Sequence, residues 1–275
     1  MTTRIAGFTL LGFLAVSTLL FAQSPLIPSD SGSDNTATAP SEVRRAEPPP
    51  ANWSAEDLET RGDSLRAEKA YADSIDYYRA ALGKRPNSAS LNNKMGMAEL
   101  MMLRFGRARK AFERALKVDP QYAEAMNNLG VTYYMQSNYK KAIRHYLKAV
   151  LVRSDNASFY SNLGTAYFAR KNFEQASSAY ARALELDPEV FERRSRTGVS
   201  AHMASPADRA RYSYVIAKIY ARVGDTDRCL LYLKKAVEQG FPEIANAYKD
   251  EEFASIRKDP RFTSVMTPPP PPASN

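Results

Sequence analysis

Groups that carry out chemistry are scarce in this sequence, which has one cysteine and two histidines among 275 residues. A single cysteine, Cys229, cannot form an intrachain disulfide, and only His145 and His202 could join it as ligands of a structural zinc. Neither histidine has a neighbour at a spacing that suits nucleophilic or metal chemistry. We therefore expect no enzymatic activity, no cofactor and no metal site, and a fold that is stabilised by packing alone.

Proline is nearly missing from the middle of the chain, although the whole sequence has 17 prolines. Almost all of them lie outside residues 88–182, so they mark the edges of the folded part. With 44% apolar residues, the chain can bury a sizeable core. The formal net charge of +8 belongs to the folded part, because residues 1–54 carry three basic and four acidic side chains.

Charge is missing from residues 5–22, an apolar run that follows Arg4. A basic start followed by such a run is typical of export signals. The run is long for a secretory signal and short for a membrane span of about 20 residues, and cleavage after Ala22 would leave Leu20 where a small residue is usual. Residues 1–22 are therefore a signal peptide or a membrane anchor. Both alternatives predict an exported protein, periplasmic or membrane-anchored, with the remainder of the chain on the non-cytoplasmic side.

Residues 23–53 are rich in serine, proline, alanine and threonine and have no apolar period. This composition predicts a disordered linker. Immediately after it, Ser54 and Asp57 predict a capped helix that begins near Ala55. At the other end of the chain, residues 267–275 form a proline-rich tail.

Four glycines recur at intervals of 34 residues, which indicates an internal repeat. The glycines are Gly62, Gly96, Gly130 and Gly164. Sixteen residues after them lie the aromatic residues Tyr78, Phe112, Tyr146 and Tyr180, and small residues lie 12 and 19 residues after each glycine. Small and large residues paired at fixed spacing predict two helices per unit, which cross closely at the small residues while the aromatic ring fills the space between them.

These units resemble tetratricopeptide repeats, over residues 55–88, 89–122, 123–156 and 157–190. The framework residues that carry the resemblance are Leu129, Gly130, Tyr133, Ala142 and Tyr146 in the third unit and Leu163, Gly164, Tyr167, Ala176, Tyr180 and Pro188 in the fourth. The first two units depart from the family pattern at Arg61 and Glu99. The resemblance implies an all-α fold, namely a right-handed superhelical α-solenoid of tandem helix-turn-helix repeats with a C-terminal helical cap.

A fifth, divergent unit fits residues 210–243, where Cys229 takes the small, buried framework place. Residues 191–209 separate it from the fourth unit and contain four arginines. This insertion is either a loop on the binding face or a disordered connector. Residues 244–266 have apolar side chains on both sides of Asp259, which predicts one or two short helices as the C-terminal cap.

The first helix of each unit lines the concave surface in proteins of this family, so the resemblance implies that exposed positions on these helices form a partner-binding groove. The predicted groove residues are Asn93, Lys94, Met97 and Met101 in the second unit, Asn127, Asn128, Val131, Tyr134 and Met135 in the third, and Asn162, Thr165 and Phe168 in the fourth. Methionine and aromatic side chains favour an adaptable apolar surface that suits a protein or peptide ligand.

Asn128 and Asn162 occupy the same place in neighbouring units, two residues before the repeat glycine. The 34-residue period predicts that they stack as a ladder, whose amides could bind a peptide backbone of any sequence. The arrangement is similar to the asparagine ladder in the repeat domain of the O-linked N-acetylglucosamine transferases, and the similarity implies peptide binding rather than transferase activity. The alternative is that asparagine is simply tolerated at a helix surface.

Basic residues cluster on the second helices of units two and three, where they are expected on the outer surface. They are Arg104, Arg107, Arg109, Lys110, Arg114, Lys140, Lys141, Arg144 and Lys148. Nucleic acid is not expected as a partner, because the cations are not interleaved with aromatic residues and the chain is predicted to be exported. Attraction to anionic lipid is the functional alternative to a merely solvated surface.

The sequence thus predicts a protein-protein interaction scaffold that binds a peptide or protein in its concave groove outside the cytoplasm. The alternative is a structural assembly factor or a subunit of an envelope complex, such as a pilus, secretion or outer-membrane machinery. The N-terminal apolar segment could tether the chain to a membrane in either case. The oligomeric state and the identity of the partner stay open, because repeat scaffolds carry their specificity in variable groove residues.

Overall fold

A computed structural model describes residues 47–192 and 205–267. These ranges consist of helices and connecting turns, without a β-strand, so the all-α fold class is confirmed. Four predicted segments lie wholly or largely outside the described residues: the export segment, most of the linker, most of the arginine-rich insertion and the proline-rich tail.

Eleven α-helices and three short 3₁₀ helices make up the described part of the chain. The α-helices are α1 (Ala55–Ala67), α2 (Tyr71–Lys84), α3 (Ala89–Met101), α4 (Phe105–Val118), α5 (Ala123–Met135), α6 (Tyr139–Val152), α7 (Ala157–Ala169), α8 (Phe173–Leu186), α9 (Pro206–Arg222), α10 (Thr226–Glu238) and α11 (Pro260–Met266). The 3₁₀ helices are Ile244–Tyr248, Glu251–Phe253 and Ile256–Lys258.

Consecutive helices pack as pairs, and each of the first four pairs begins 34 residues after the one before it. The first helix of a pair also packs on the second helix of the preceding pair, which extends the array in one direction. Neighbouring first helices contact each other directly, as α3 does with α5 and α5 with α7. The described helices therefore form an α-solenoid whose first helices make up the inner layer.

The repeat glycines are the points at which the two helices of a pair approach most closely. A Cβ atom built on Gly62, Gly96, Gly130 or Gly164 would lie 2.5–2.7 Å from a ring carbon of the aromatic residue 16 positions later. Each of these rings is fully buried. Glycine at this position thus lets the ring lie flat against the backbone of the first helix, as the spacing predicts.

The turn inside each pair uses a residue with left-handed backbone conformation. These residues are Lys69, Leu103, Ser137, Lys171 and, in the fifth pair, Gly224, with φ between 57° and 79°. The amide that follows donates a hydrogen bond to the carbonyl five residues earlier, for example from Asn138 to Tyr133 at 2.9 Å. This C-terminal cap satisfies a carbonyl that the helix leaves free and fixes the reversal of the chain.

Serine side chains define the starts of α1 and α9. Ser54 and Asp57 form a reciprocal capping box at α1, as the sequence predicts. At α9, Ser205 Oγ accepts from the amide of Asp208, and Pro206 occupies the first turn. Because of this cap, α9 begins four residues before the predicted fifth unit, and the end of the predicted insertion 191–209 is helical.

The last residues of the predicted linker are ordered against α2, which corrects the prediction of disorder for residues 47–53. Tyr77 Oη donates to the carbonyl of Glu47 at 3.1 Å, and Lys84 Nζ donates to the carbonyl of Ala51 at 2.9 Å. The ring of Trp53 lies 6.2 Å from that of Tyr77. Side chains of α2 thus bind carbonyls of this proline-rich segment, which ends in a turn where the amide of Trp53 donates to the carbonyl of Pro50 at 3.3 Å.

The C-terminal cap shares a core with the fifth helix pair. Phe253, Ile256 and Phe262 are buried against α9 and α10, in a cluster that also includes Tyr180 of α8. Cys229 lies inside this cluster, and burial raises the pKa of its thiol to about 12. The thiol is therefore protonated at neutral pH and packs as a small apolar group, as its framework place predicts.

Candidate functional site

The predicted groove positions do lie on the inner layer of helices, but most of them are buried. Lys94, Met97 and Tyr134 are half-buried, and only Met101 and Met135 are exposed, at 51% and 45%. The remaining positions are buried: Asn93, Asn127, Asn128, Val131, Asn162, Thr165 and Phe168. The expectation that all these residues are exposed is wrong, because first helices contact one another in the inner layer, as α5 does with both α3 and α7.

Asparagine side chains form a continuous amide network across the three first helices α3, α5 and α7. Asn128 Nδ2 donates to Asn93 Oδ1 at 2.9 Å, and Asn162 Nδ2 donates to Asn127 Oδ1 at 2.9 Å. Asn127 Nδ2 lies 3.4 Å from Asn128 Oδ1 and joins the two pairs. Buried amides with mutual hydrogen bonds fix the register between helices, since an unpaired amide would be costly there.

The register of this network differs from the predicted ladder. Asn128 and Asn162 are linked through Asn127, because each bond joins residues 35 positions apart rather than 34. Asn162 thus bonds to Asn127, which stands one position before Asn128, the residue equivalent to Asn162 in the neighbouring unit. The amides serve first to join the units, which the sequence argument missed.

The same register continues as an ion pair between the first two units. Lys94 Nζ lies 2.7 Å from Glu59 Oε1 and 2.6 Å from Asp63 Oδ2. Glu59 stands 34 residues before Asn93, so Glu59 and Lys94 hold the places that Asn93 and Asn128 hold one unit later. The 34-residue period alone would pair Lys94 with Thr60, so Glu59 is identified as its partner only through the 35-residue offset between neighbouring first helices.

The charged groups in this cluster shift one another's pKa values. Burial alone would lower the pKa of Lys94, but the hydrogen bonds with Asp63 and Glu59 outweigh burial and raise that pKa. Burial alone would raise the pKa of Asp63, but the bonds from Lys94 and Tyr78 outweigh burial and lower that pKa. Lys94 and Asp63 are therefore charged at neutral pH, and Arg66 beside Asp63 and Arg85 bonded to Glu59 complete the ion-pair cluster at the N-terminal end of the groove.

Beneath the groove, the tyrosine hydroxyls of the first, third and fourth pairs lie near the residue 15 positions earlier, on the first helix of the same pair. Tyr78 Oη donates to Asp63 Oδ1 at 2.8 Å, and Tyr180 Oη donates to Thr165 Oγ1 at 3.2 Å. Tyr146 has Val131 at the corresponding position, and its buried hydroxyl has no hydrogen-bond partner in the described residues. Among the described residues, the tyrosine hydroxyl beneath the groove therefore has a hydrogen-bond partner in units one and four and none in unit three.

The exposed part of the groove is apolar. Met101 and Met135 occupy the same position in units two and three, at the C-terminal ends of α3 and α5. Tyr134 precedes Met135 in the sequence, and its ring packs 5.2 Å from that of Tyr139. Two flexible thioethers beside an aromatic ring provide a surface that adapts to different apolar side chains.

A separate cleft of about 960 Å³ lies between the fourth and fifth helix pairs. Tyr160, Tyr167 and Phe173 line it together with three cations. The cations are Arg182, Lys218 and Arg222, which form ion pairs with Glu185, with Asp250 and Glu252, and with Glu252, respectively. The cleft thus combines aromatic walls with paired cations and with the carboxylate of Glu174.

The outer surface carries the predicted basic residues on α4 and α6. His145 on α6 stacks on Tyr133 with ring centroids 5.2 Å apart, and its side chain is half-buried. Burial, followed by the nearby charges of Lys148, Arg144 and Lys141, lowers the pKa of His145 to about 4. The imidazole is therefore neutral at physiological pH.

No group of three or more histidine, cysteine, aspartate or glutamate side chains in residues 47–192 and 205–267 could hold a metal ion. Within the same ranges, no helix is long and apolar enough to cross a membrane.

Models of one known family match parts of this helical array. Family models for tetratricopeptide repeats match residues 93–161, 157–190 and 210–239. No curated protein matches the chain significantly.

Among solved structures, the chain is similar to a MamA protein, with 21% identity over 72% of this chain and 95% of the other and a TM-score of 0.47. It is similar to MamA from Desulfovibrio magneticus RS-1, with 19% identity over 67% and 94% and a TM-score of 0.48. It is also similar to YrrB, described as a TPR protein with an unusual peptide-binding site, with 18% identity over 71% and 92% and a TM-score of 0.46.

The family matches also bear on activity. Tetratricopeptide repeats are non-enzymatic scaffolds for protein interaction, so the prediction that this chain is not an enzyme is confirmed. The 34-residue helix pairs, the glycine–aromatic contacts inside them and the three family matches together establish that this chain contains tetratricopeptide repeats.

Proposed function

We propose that this chain binds a peptide or protein segment along the inner layer of α3, α5 and α7, on the non-cytoplasmic side of a membrane. The observation that carries the proposal is the pair of exposed methionines, Met101 and Met135, at the same position of consecutive units. Exposed apolar side chains in a row along a concave helical surface are typical of partner binding.

The amide network supports this function indirectly. Its asparagines are buried and hydrogen-bonded to one another, so they hold the three helices in one arrangement before a ligand arrives. A preformed surface loses less conformational entropy on binding than a flexible one. Contact with the ligand would fall to the half-buried and exposed side chains beside the network, namely Met97, Met101, Tyr134 and Met135.

A crosslinking experiment tests the groove. A photoreactive amino acid replaces Met135, or Leu231 on α10 as a control of nearly equal exposure, 45% against 46%. We expect capture of one protein from Met135 and not from Leu231. The captured protein is then purified, and its affinity is measured by calorimetry for wild type, Met135→Glu and Leu231→Glu.

The proposal predicts a loss of affinity of about tenfold or more for Met135→Glu and no loss for Leu231→Glu, because a charge in an apolar contact must be desolvated. Equal affinities of all three proteins would contradict binding in the groove. Capture from Leu231 alone would instead favour a structural role in an envelope complex through the outer surface.

The location is tested separately. The charge-free run at residues 5–22 supports export. Protease is added to cells whose outer membrane has been permeabilised and whose cytoplasmic membrane is intact. It should digest the repeats while a cytoplasmic marker protein stays undigested. Protection of the repeats together with the marker would overturn the proposed location without affecting the proposal on the groove.

A further inference from the structure

Helix α6 differs from every other second helix of the array in the charges on its exposed side. The other second helices each pair a cation with an acidic residue of the same helix: Arg79 with Asp76 in α2, Arg109 with Glu113 in α4, Arg182 with Glu185 in α8 and Lys234 with Glu238 in α10. Helix α6 has four basic residues and no acidic residue. Its exposed cations therefore have no counter-charge on their own helix.

Two exposed positions of α6 are leucines where most of the other second helices carry a charge. Leu147 stands where the other second helices have Arg79, Glu113, Ala181 and Lys234, and Leu151 stands where they have Gly83, Lys117, Glu185 and Glu238. Leu147 is 44% exposed and Leu151 is 85% exposed. At each of the two positions, three of the four other second helices have a charged residue and α6 has an apolar one.

The leucines and the cations share one face of the helix. Lys140, Arg144 and Lys148 lie at intervals of four residues, and Leu147 and Leu151 lie three residues after Arg144 and Lys148, respectively, which places all five along one stripe of an α-helix. All five are exposed. No ion pair joins Lys140, Arg144 or Lys148 to an acidic residue in the described parts of the chain. This stripe is called the α6 face below.

We propose that the α6 face binds the surface of a membrane that contains anionic lipids. Leucines that project between lysines and arginines are typical of helices that lie at the membrane interface, where the apolar side chains enter the acyl region and the cations contact the headgroups. Helix α4 adds a second basic surface on the neighbouring unit, with Arg107, Lys110 and Arg114.

Two observations favour a membrane over an acidic protein partner. Leu151 is 85% exposed on the outer layer of helices, and the cleft of about 960 Å³ lies elsewhere, between the fourth and fifth helix pairs. A protruding leucine suits a fluid surface that needs no matching pocket. The sequence also predicts a membrane segment or export signal at residues 5–22, joined to the repeats by a short linker, which would keep the array near a bilayer.

The experiment places an environment-sensitive fluorophore on the α6 face of the full chain. Leu151→Cys is labelled with NBD, and Leu231→Cys on α10 is the matched control. The native Cys229 is fully buried, so labelling is confined to the introduced cysteine. Each protein is reconstituted with vesicles of neutral phosphatidylcholine and with vesicles that also contain anionic phosphatidylglycerol.

We expect a blue shift at position 151 with anionic vesicles, little shift with neutral vesicles and none at position 231. The apolar N-terminal segment is the same in all samples, so it cannot cause this difference. Adding Lys140→Gln, Arg144→Gln and Lys148→Gln should lower the equilibrium constant for contact of the α6 face with the anionic membrane about fivefold per charge removed, or on the order of 100-fold in total.

Other outcomes overturn the proposal. An unchanged spectrum at position 151 in both vesicles, or equal shifts in neutral and anionic vesicles, would exclude the α6 face as an anionic-lipid surface. The same holds for equal shifts at positions 151 and 231. A shift at position 151 with poly-glutamate but not with anionic vesicles would instead assign the face to an acidic protein.

Discussion

Gly130 lies against the ring of Tyr146 so closely that a Cβ atom at position 130 would be 2.5 Å from Cε1 of the ring. The two residues belong to the paired helices α5 and α6, and both are buried. The ring cannot move away, since it is enclosed by the core on all sides. This contact therefore fixes how closely the helices of a pair can approach.

Replacing Gly130 with alanine should destabilise the protein by about 1–3 kcal/mol, because the added methyl group overpacks the helix crossing. Gly83 provides the matched control: it is helical, and a Cβ atom added at that position would have no neighbouring atom within 4 Å. Gly83→Ala should stabilise by about 0.5–1 kcal/mol through the lower backbone entropy of the unfolded chain. Urea midpoints measured by circular dichroism should fall for Gly130→Ala and rise for Gly83→Ala. A Gly130→Ala variant as stable as wild type would show that the helix crossing has room for a methyl group.

The helix pairs could be predicted from the sequence because glycine and the aromatic ring 16 residues later make one local contact that recurs four times. The amide network could not, because its bonds join residues 35 positions apart and so depend on how neighbouring first helices are offset. A period of 34 places Asn128 opposite Asn162, whereas packing places Asn162 opposite Asn127. The exposure of groove positions depends on the same packing between units, which is why most of them are buried.

Tyr146 and Tyr180 offer a matched test of buried hydroxyl groups. Tyr180 Oη bonds to Thr165, while Tyr146 Oη has no partner in the described residues. Tyr180→Phe should cost about 0.5–1.5 kcal/mol, and Tyr146→Phe should be neutral or stabilising, because a buried unpaired hydroxyl is itself destabilising. Phe112 already occupies the equivalent place in the second unit. Chemical denaturation of the two variants measures the difference, and equal losses would show that Tyr146 has a partner such as a buried water.

Glu59 and Lys94 should tolerate replacement by asparagine better together than singly. Each single change removes the ion pair between them, leaving Lys94 with Asp63 alone or Glu59 with Arg85 alone, whereas the double variant recreates the amide pair that Asn93 and Asn128 form one unit later. In a double-mutant cycle we expect a favourable coupling of about 0.5–1 kcal/mol, because the pair is partly exposed. The exposed pair Asp76–Arg79 is the control and should show less coupling. Additive effects at Glu59 and Lys94 would argue against a shared register.

Leu103 has a left-handed backbone with φ of 57° although it is not glycine, and its side chain is exposed. Glycine at this position removes a steric cost of about 1–2 kcal/mol and adds an entropic cost of about 0.5–1 kcal/mol. Leu103→Gly should therefore stabilise by roughly 0.5 kcal/mol. Leu147→Gly, in the middle of α6, should destabilise by about 1 kcal/mol. A loss of stability at Leu103 would mean that its side chain makes a contact worth more than the strain.

His145 should make the protein sensitive to mild acid. Its pKa is lowered to about 4 in the folded state by burial and by Lys148, Arg144 and Lys141, while an unfolded chain has a histidine pKa of about 6.5. Between these two values the unfolded state binds the proton and the folded state does not. Stability attributable to His145 therefore falls as the pH drops from about 6.5 to about 4, and it changes no further below that range.

The variant His145→Gln stays neutral at every pH and should lose less stability than wild type between about pH 7 and about pH 4.5. Carboxylates titrate equally in both proteins, so the difference between their urea midpoints isolates the imidazole. Nuclear magnetic resonance gives an independent reading, because the signal that disappears in the variant should titrate near pH 4. If that signal titrates near about 6.5 and the two stability curves run parallel, then Tyr133 and the cations of α6 do not hold His145 in its neutral form. In that case the α6 face gains a further positive charge below neutral pH, which would strengthen rather than weaken its attraction to anionic lipid.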